Sequence, residues 1–304
     1  MINTEIDFLG IKFKNPITTA SGTFGFGREY VDFYSLDELG GISAKGLTLE
    51  ERNGNLSPRI AETPLGIINS VGLQNPGVHY FIENEIPFLR QYDTKIIANI
   101  AGNCIEDYCK MAEILNTADV DIIEMNISCP NVREGGVAFG VKCDSVAEIT
   151  RRVKAKLTNH PLVVKLSPNV TDITSVAKTA EENGADGLSL INTLLGMKID
   201  VKTRRPVIRN NMGGLSGPCV KPVAVRMVYQ VANTVNIPII GMGGIMTGED
   251  AAEFLIAGAS LVSVGSANLA TPTAAFDIKN ELIEFCEKNN IKDINDLIGS
   301  VKPY

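Results

Sequence analysis

Eight short apolar runs, each followed by a longer polar or amphipathic stretch, constrain this 304-residue chain more than any other feature. They cover residues 17–20, 41–44, 95–100, 121–127, 162–166, 187–191, 238–241 and 260–264. Near-continuous apolar runs of this length suit parallel strands buried on both faces, not half-exposed strands. Residues 105–116, 145–157, 172–183, 220–235 and 249–257 carry apolar side chains at helical spacing. Ser145-Val-Ala-Glu148 and Thr247-Gly-Glu-Asp250 have capping-box form, and Asn183-Gly184 and Gly258 stand where helices should stop. Alternation of this kind predicts a (β/α)8 barrel, in one domain spanning residues 1–304. An open doubly wound sheet is the alternative, but no G-x-G-x-x-G turn follows the first run. A short hairpin, residues 5–8 and 11–13 around Leu9-Gly10, is expected to close the barrel bottom. Two connections, 46–95 and 193–218, are too long for plain links and should carry function or structure of their own.

Charge and composition remove several function classes. A formal charge of −7 is the wrong balance for a duplex nucleic-acid binder. No apolar stretch approaches the roughly 18 residues of a membrane span. The amino terminus lacks the basic and apolar regions of a secretion signal, so a cytoplasmic location is expected. The six cysteines form no C-x-x-C pair and no grouping with His79 or His160, so no metal site is expected. Both histidines read as surface or loop residues.

In a barrel of this type the chemistry sits at the carboxyl ends of the strands. Six consecutive runs end on Ser21, Lys45, Asn99, Asn126, Lys165 and Asn192, and the last two end on Gly243-Gly244 and Gly265-Ser266. Six polar ends, mostly Lys and Asn, point to one polar ligand over the barrel mouth. Glycine-rich turns after the seventh and eighth strands suit a phosphate held by backbone N–H groups. Two lysines near one ligand suit a group that becomes anionic, a reduced flavin or an enolate, and spacing leaves a Schiff base open. Cys129 lies just past the fourth run in a polar loop, where nucleophile, base and small buried hydrophobe all remain open.

Ala20-Ser-Gly-Thr-Phe-Gly25, Asn69-Ser-Val-Gly-Leu-Gln-Asn-Pro-Gly77 and Asn126-Ile-Ser-Cys-Pro-Asn131 resemble the signature segments of dihydroorotate dehydrogenases. The first of these, with Ser43-Ala-Lys-Gly-Leu-Thr48, is most similar to the catalytic subunits of class 1B, the NAD-linked members. The resemblance covers nearly the whole chain. It implies FMN as cofactor and oxidation of (S)-dihydroorotate to orotate in pyrimidine biosynthesis. Cys129 would take the C5 proton while the C6 hydride passes to flavin N5. Lys45, Asn69, Asn126, Asn131, Asn192 and Thr193 would hold the substrate, with Ser70, Val71, Gly72 and Leu73 lining the pocket. Ser21, Lys45, Gly46, Asn99, Asn126, Lys165, Ile191, Gly217, Gly243, Gly244, Gly265 and Ser266 would contact FMN. The class implies a partner subunit with FAD and a 2Fe–2S cluster that relays electrons to NAD+, in a heterotetramer of two catalytic and two partner chains. The competing readings are a class 1A enzyme passing electrons to fumarate without a partner, a non-redox phosphate-binding barrel using Lys165, and a barrel that has lost catalysis.

Overall fold

The computed structural model describes residues 2–127, 140 and 142–304. Its centre is a closed barrel of eight parallel strands: β1 (Ile17–Thr19), β2 (Gly41–Ser43), β3 (Lys95–Ile100), β4 (Ile122–Asn126), β5 (Leu162–Lys165), β6 (Gly187–Leu190), β7 (Ile239–Met242) and β8 (Leu261–Val264). Neighbours in space are neighbours in sequence, and β8 closes onto β1 through Val262–Ile17 and Val264–Thr19 pairs. All eight apolar runs became these strands, each within one or two residues of the expected bounds. Every residue of β5 to β8 is buried, as the absence of polar alternation required.

Helices Ile105–Leu115, Cys143–Lys154, Ile173–Glu182, Lys221–Ala232, Gly248–Ala257 and Ala274–Lys288 pack around the strands. In Gly248–Ala257 the ring of Phe254 is fully buried, which contributes about 1.5–3 kcal/mol. This helix has the expected capping box: Thr247 Oγ1 accepts from Asp250 N, and the Asp250 carboxylate accepts from Thr247 N at 3.0 Å. It stops at Gly258, whose φ of +117° disfavours any other residue. Thr247→Ala should therefore lower unfolding stability by about 1 kcal/mol, read from a denaturant titration with an unchanged slope.

The other expected capping box is corrected. That helix begins at Cys143, with Lys142 as its cap and no side-chain cap hydrogen bond. Ser145 is already helical, and Glu148 instead faces Arg152 one turn on, at 3.7 Å. Val146, Ile149 and Val153 form its buried stripe, and Asp144 in the first turn, ahead of the serine, suits the positive end of the helix dipole. The final helix, Ala274–Lys288, lay beyond the expected elements, although Ala274, Ile278, Leu282 and Cys286 show its four-residue apolar spacing.

The amino-terminal hairpin, Ile6–Phe8 against Ile11–Phe13, plugs the bottom as expected. Phe8 and Phe13 are fully buried. A Cβ on Gly187 would lie 3.4 Å from the Phe8 ring and one on Gly41 3.0 Å from the Phe13 ring, and both glycines open their strands. At the opposite end the two long connections join. Ile60–Thr63 and Gly66–Asn69 from the first pair with Leu194–Gly196 and Gly213–Ser216 from the second in one antiparallel sheet. This sheet has its own small core of Ala61, Ile68 and Ile208. It continues directly from the end of β6 through Asn192 and Thr193. No helix among the described residues is long and apolar enough to cross a membrane.

Candidate active site

The interior of the barrel is polar in its upper layer, where barrels usually carry branched apolar side chains. Glu124 on β4 is 2% exposed. Its carboxylate accepts from Asn99 Nδ2 of β3 at 2.5 Å, from Ser189 Oγ of β6 at 2.6 Å and from Ser43 Oγ of β2 at 3.2 Å. Lys165 Nζ of β5 lies 3.9 Å away. A single side chain reaches four other strands only from inside the barrel. Beside this group Thr18 and Ser263 share a 2.6 Å hydrogen bond between β1 and β8.

Above that layer the structure collects most of the expected residues. Lys165 and Asn126 end their strands as register partners. Asn192, two residues past β6, donates from Nδ2 to Asn126 Oδ1 at 3.1 Å and orders Thr193 by accepting its N–H at 2.8 Å. Tyr108, fully buried, donates to the Asn126 carbonyl at 2.8 Å and so fixes the end of β4. Ser21, two residues past β1, donates to the Ala44 carbonyl at 2.7 Å. Asn99 is completely buried, and its Oδ1 has no hydrogen-bond partner among the described residues. A Cβ on Gly46 would sit 3.0 Å from that oxygen, 3.4 Å from Leu73 and 3.8 Å from Ser21 Oγ, so these four residues meet at one point.

Lys45 follows β2, half-buried, with Nζ 3.5 Å from where a Cβ on Gly22 would lie. Burial, and after it the Arg59 guanidinium, pushes the Lys45 ammonium below its ordinary range. An anion binding here would relieve both penalties.

The segment from Asn69 to Leu73 leaves the accessory sheet and turns over the mouth. Asn69 Nδ2 reaches the Gly214 carbonyl at 3.5 Å. Ser70 N donates to Arg59 O, the Asn55 amide donates to Ser70 O, and Asn55 N donates to Val71 O, each at 2.8–2.9 Å. Gly72 has a φ of +81°, and any side chain there would meet Asn55 at 2.6 Å. The Ser70 hydroxyl is buried without a partner among the described residues.

The glycine turns also converge. Gly243 and Gly244 have φ of +127° and +82°; a Cβ on Gly244 would lie 2.8 Å from Gly217 O, and one on Gly243 3.2 Å from Ile191. A Cβ on Gly265 would lie 3.4 Å from Ala20, which places the turn at Gly265 and Ser266 beside the Ser21 turn. Backbone freed of side chains on three adjacent turns can approach an anionic group closely.

Cys129 and Asn131 lie outside the described residues. Among the other cysteines, burial raises the thiols of Cys109 and Cys286 above their ordinary range, so they stay protonated near neutral pH. His79 is exposed, and His160 contacts the Ala118 carbonyl at 3.1 Å just before β5, at the barrel's opposite end. Glu124, Ser43, Ser189, Arg59 and Asn55 were not anticipated. Glu124 had one visible signal, a lone charge within the apolar run Ile122-Ile-Glu-Met125.

The closed barrel with polar side chains gathered at the carboxyl ends of its strands defines a (β/α)8-barrel protein. A family model described as dihydroorotate dehydrogenase matches residues 3–286. A dihydroorotate dehydrogenase B (NAD(+)) catalytic subunit of Alkaliphilus metalliredigens (strain QYMF) is 58% identical over 300 residues, covering 99% of each chain. Proteins of the same description from Thermoanaerobacter pseudethanolicus (strain ATCC 33223 / 39E) and Porphyromonas gingivalis (strain ATCC BAA-308 / W83) are 52% and 49% identical, with 99% of this chain and 99% and 98% of theirs covered. The chain belongs to the dihydroorotate dehydrogenase family, as the signature segments indicated.

Proposed function

We propose that this chain is the catalytic subunit of an NAD-linked dihydroorotate dehydrogenase. In this reading residues 1–304 form a single FMN-binding domain that oxidises (S)-dihydroorotate to orotate in cytoplasmic pyrimidine biosynthesis. The observation that carries it is the fully buried Asn99 amide, whose oxygen has no partner among the described residues and faces the Gly46–Ser21 corner. A buried acceptor left unmet costs about 1–3 kcal/mol, so such a site suits a ligand carrying N–H donors. The glycine turns at Gly217, Gly243, Gly244, Gly265 and Ser266 suit a terminal phosphate. The residues present therefore fit FMN.

Bound FMN supplies a two-electron acceptor for the substrate C6–H bond. Ser21, Gly46, Asn99, Lys165 and Ile191 would hold its ring, and Lys165 would stabilise negative charge there. Lys45 and the amides of Asn69, Asn126, Asn131, Asn192 and Thr193 would bind the substrate carboxylate and ring, since asparagine matches a ring that both donates and accepts. Ser70, Val71, Gly72 and Leu73 would cover the pocket and exclude water. Cys129 Sγ would take the C5 proton.

The relatives' description as catalytic subunits supports a separate partner chain, which we assign the FAD, the 2Fe–2S cluster and the transfer to NAD+, in a two-plus-two heterotetramer. Purification of the native complex tests this. Dihydroorotate should reduce NAD+ when the iron–sulfur flavoprotein co-purifies, and should not when this chain is alone. Efficient fumarate reduction by the isolated chain would contradict the assignment.

A further inference from the structure

We infer that Glu124 is a positioning residue for the cofactor: it fixes the Asn99 amide with its oxygen toward the ring and offsets part of the charge of Lys165. The inference rests on the FMN reading above and deepens it. Both carboxylate oxygens of Glu124 receive hydrogen bonds, from Ser43, Asn99 and Ser189, and Lys165 Nζ stands 3.9 Å from one of them. A carboxylate only accepts, so the Asn99 group facing it at 2.5 Å must be the NH2. The amide then has one orientation, and Oδ1, buried without a partner among the described residues, must face the Gly46–Ser21 corner. Without Glu124 this constraint is lost, and the orientation that presents a donor to the ligand's donor becomes accessible. The two serines hold the carboxylate from β2 and β6, so its position is set by the barrel itself and not by the mouth loops.

Lys165 is the second consequence. In the buried interior its charge acts strongly on a nearby ring, and the carboxylate 3.9 Å away weakens that field. Glu124 thus bears on the reduction potential of a ring it does not touch.

Glu124→Gln keeps the shape, removes the charge and restores the ambiguity of the Asn99 amide. Glu124→Asp keeps the charge but withdraws it by one methylene. Apo-protein of each would be titrated with FMN by flavin fluorescence quenching, and the bound-flavin midpoint potential measured by dye-coupled reduction. Affinity for FMN should fall on the order of tenfold in both. The potential should become more positive in Glu124→Gln, where the negative charge 3.9 Å from Lys165 is removed, and stay close to wild type in Glu124→Asp. A purely structural role would lower thermal stability without moving the potential. Unchanged affinity in both variants, or an unchanged potential in Glu124→Gln, overturns the inference while leaving the FMN reading intact. A wild-type apo-protein that binds no FMN overturns both.

Discussion

Replacing Cys129 with serine should slow dihydroorotate-driven flavin reduction by about 10²–10⁴-fold while leaving FMN bound, because the variant loses its proton acceptor and not its cofactor cradle. In the proposed site the cradle would come from the Gly46–Asn99–Ser21 corner, Lys165, and the turns at Gly217, Gly243–Gly244 and Gly265. An ordinary thiol ionises near pH 8.5, whereas a serine hydroxyl does not ionise in the working range. The rate in the unmodified protein should therefore rise from acid pH as the thiol ionises, and that limb should vanish in the serine variant. Stopped-flow absorbance at the flavin band under anaerobic conditions reads both effects. Flavin reduction at an unchanged rate would remove Cys129 from the base role. The thiols of Cys109 and Cys286 are no substitutes, since they sit on the outer helices Ile105–Leu115 and Ala274–Lys288 and burial pushes both of them up.

Lys45→Met should show the opposite exchange, with function lost and stability gained. In the folded protein the Lys45 ammonium sits below its ordinary range through burial and the nearby Arg59. The unfolded chain therefore binds this proton more tightly than the folded one. It follows that the charged lysine penalises folding at neutral pH, and that the penalty is relieved as pH rises through the folded-state value toward the ordinary lysine range. The methionine variant, with no charge to bury, should melt on the order of 2 °C higher at neutral pH, with that advantage shrinking at alkaline pH. Its affinity for orotate should fall at least about tenfold, because a charge-assisted hydrogen bond to the carboxylate is lost. Thermal melts of the apo-protein across pH and orotate titration of the flavin spectrum measure the two halves. A destabilised variant, or one that binds orotate normally, would contradict the account.

Much of this architecture was legible because parallel barrel strands are local signals. A run such as Leu162-Val-Val is apolar on both faces wherever it lies in the chain, and its strand end at Lys165 follows from that run alone. The accessory sheet was not legible in the same way. Asn69 pairs with Gly214 across 145 residues, and neither short strand carries enough apolar pattern to announce the partner. Strand ends exposed Ser21, Lys45, Asn99, Asn126, Lys165 and Asn192 as a set. Glu124, two residues before the end of β4, fell below that line, although its carboxylate reaches side chains on four other strands. The misplaced capping box has a related cause. Ser145 and Glu148 have the right spacing, but a capping box needs its serine in non-helical backbone, and the helix already begins at Cys143.

The measurement that tests the central claim most directly is the anaerobic visible spectrum of the purified chain before and after adding dihydroorotate. A yellow protein whose flavin band bleaches on addition is the predicted result, since it shows the cofactor, the substrate and the reductive half-reaction together. A protein that stays colourless after incubation with FMN, or a yellow one that dihydroorotate leaves unbleached, would contradict it.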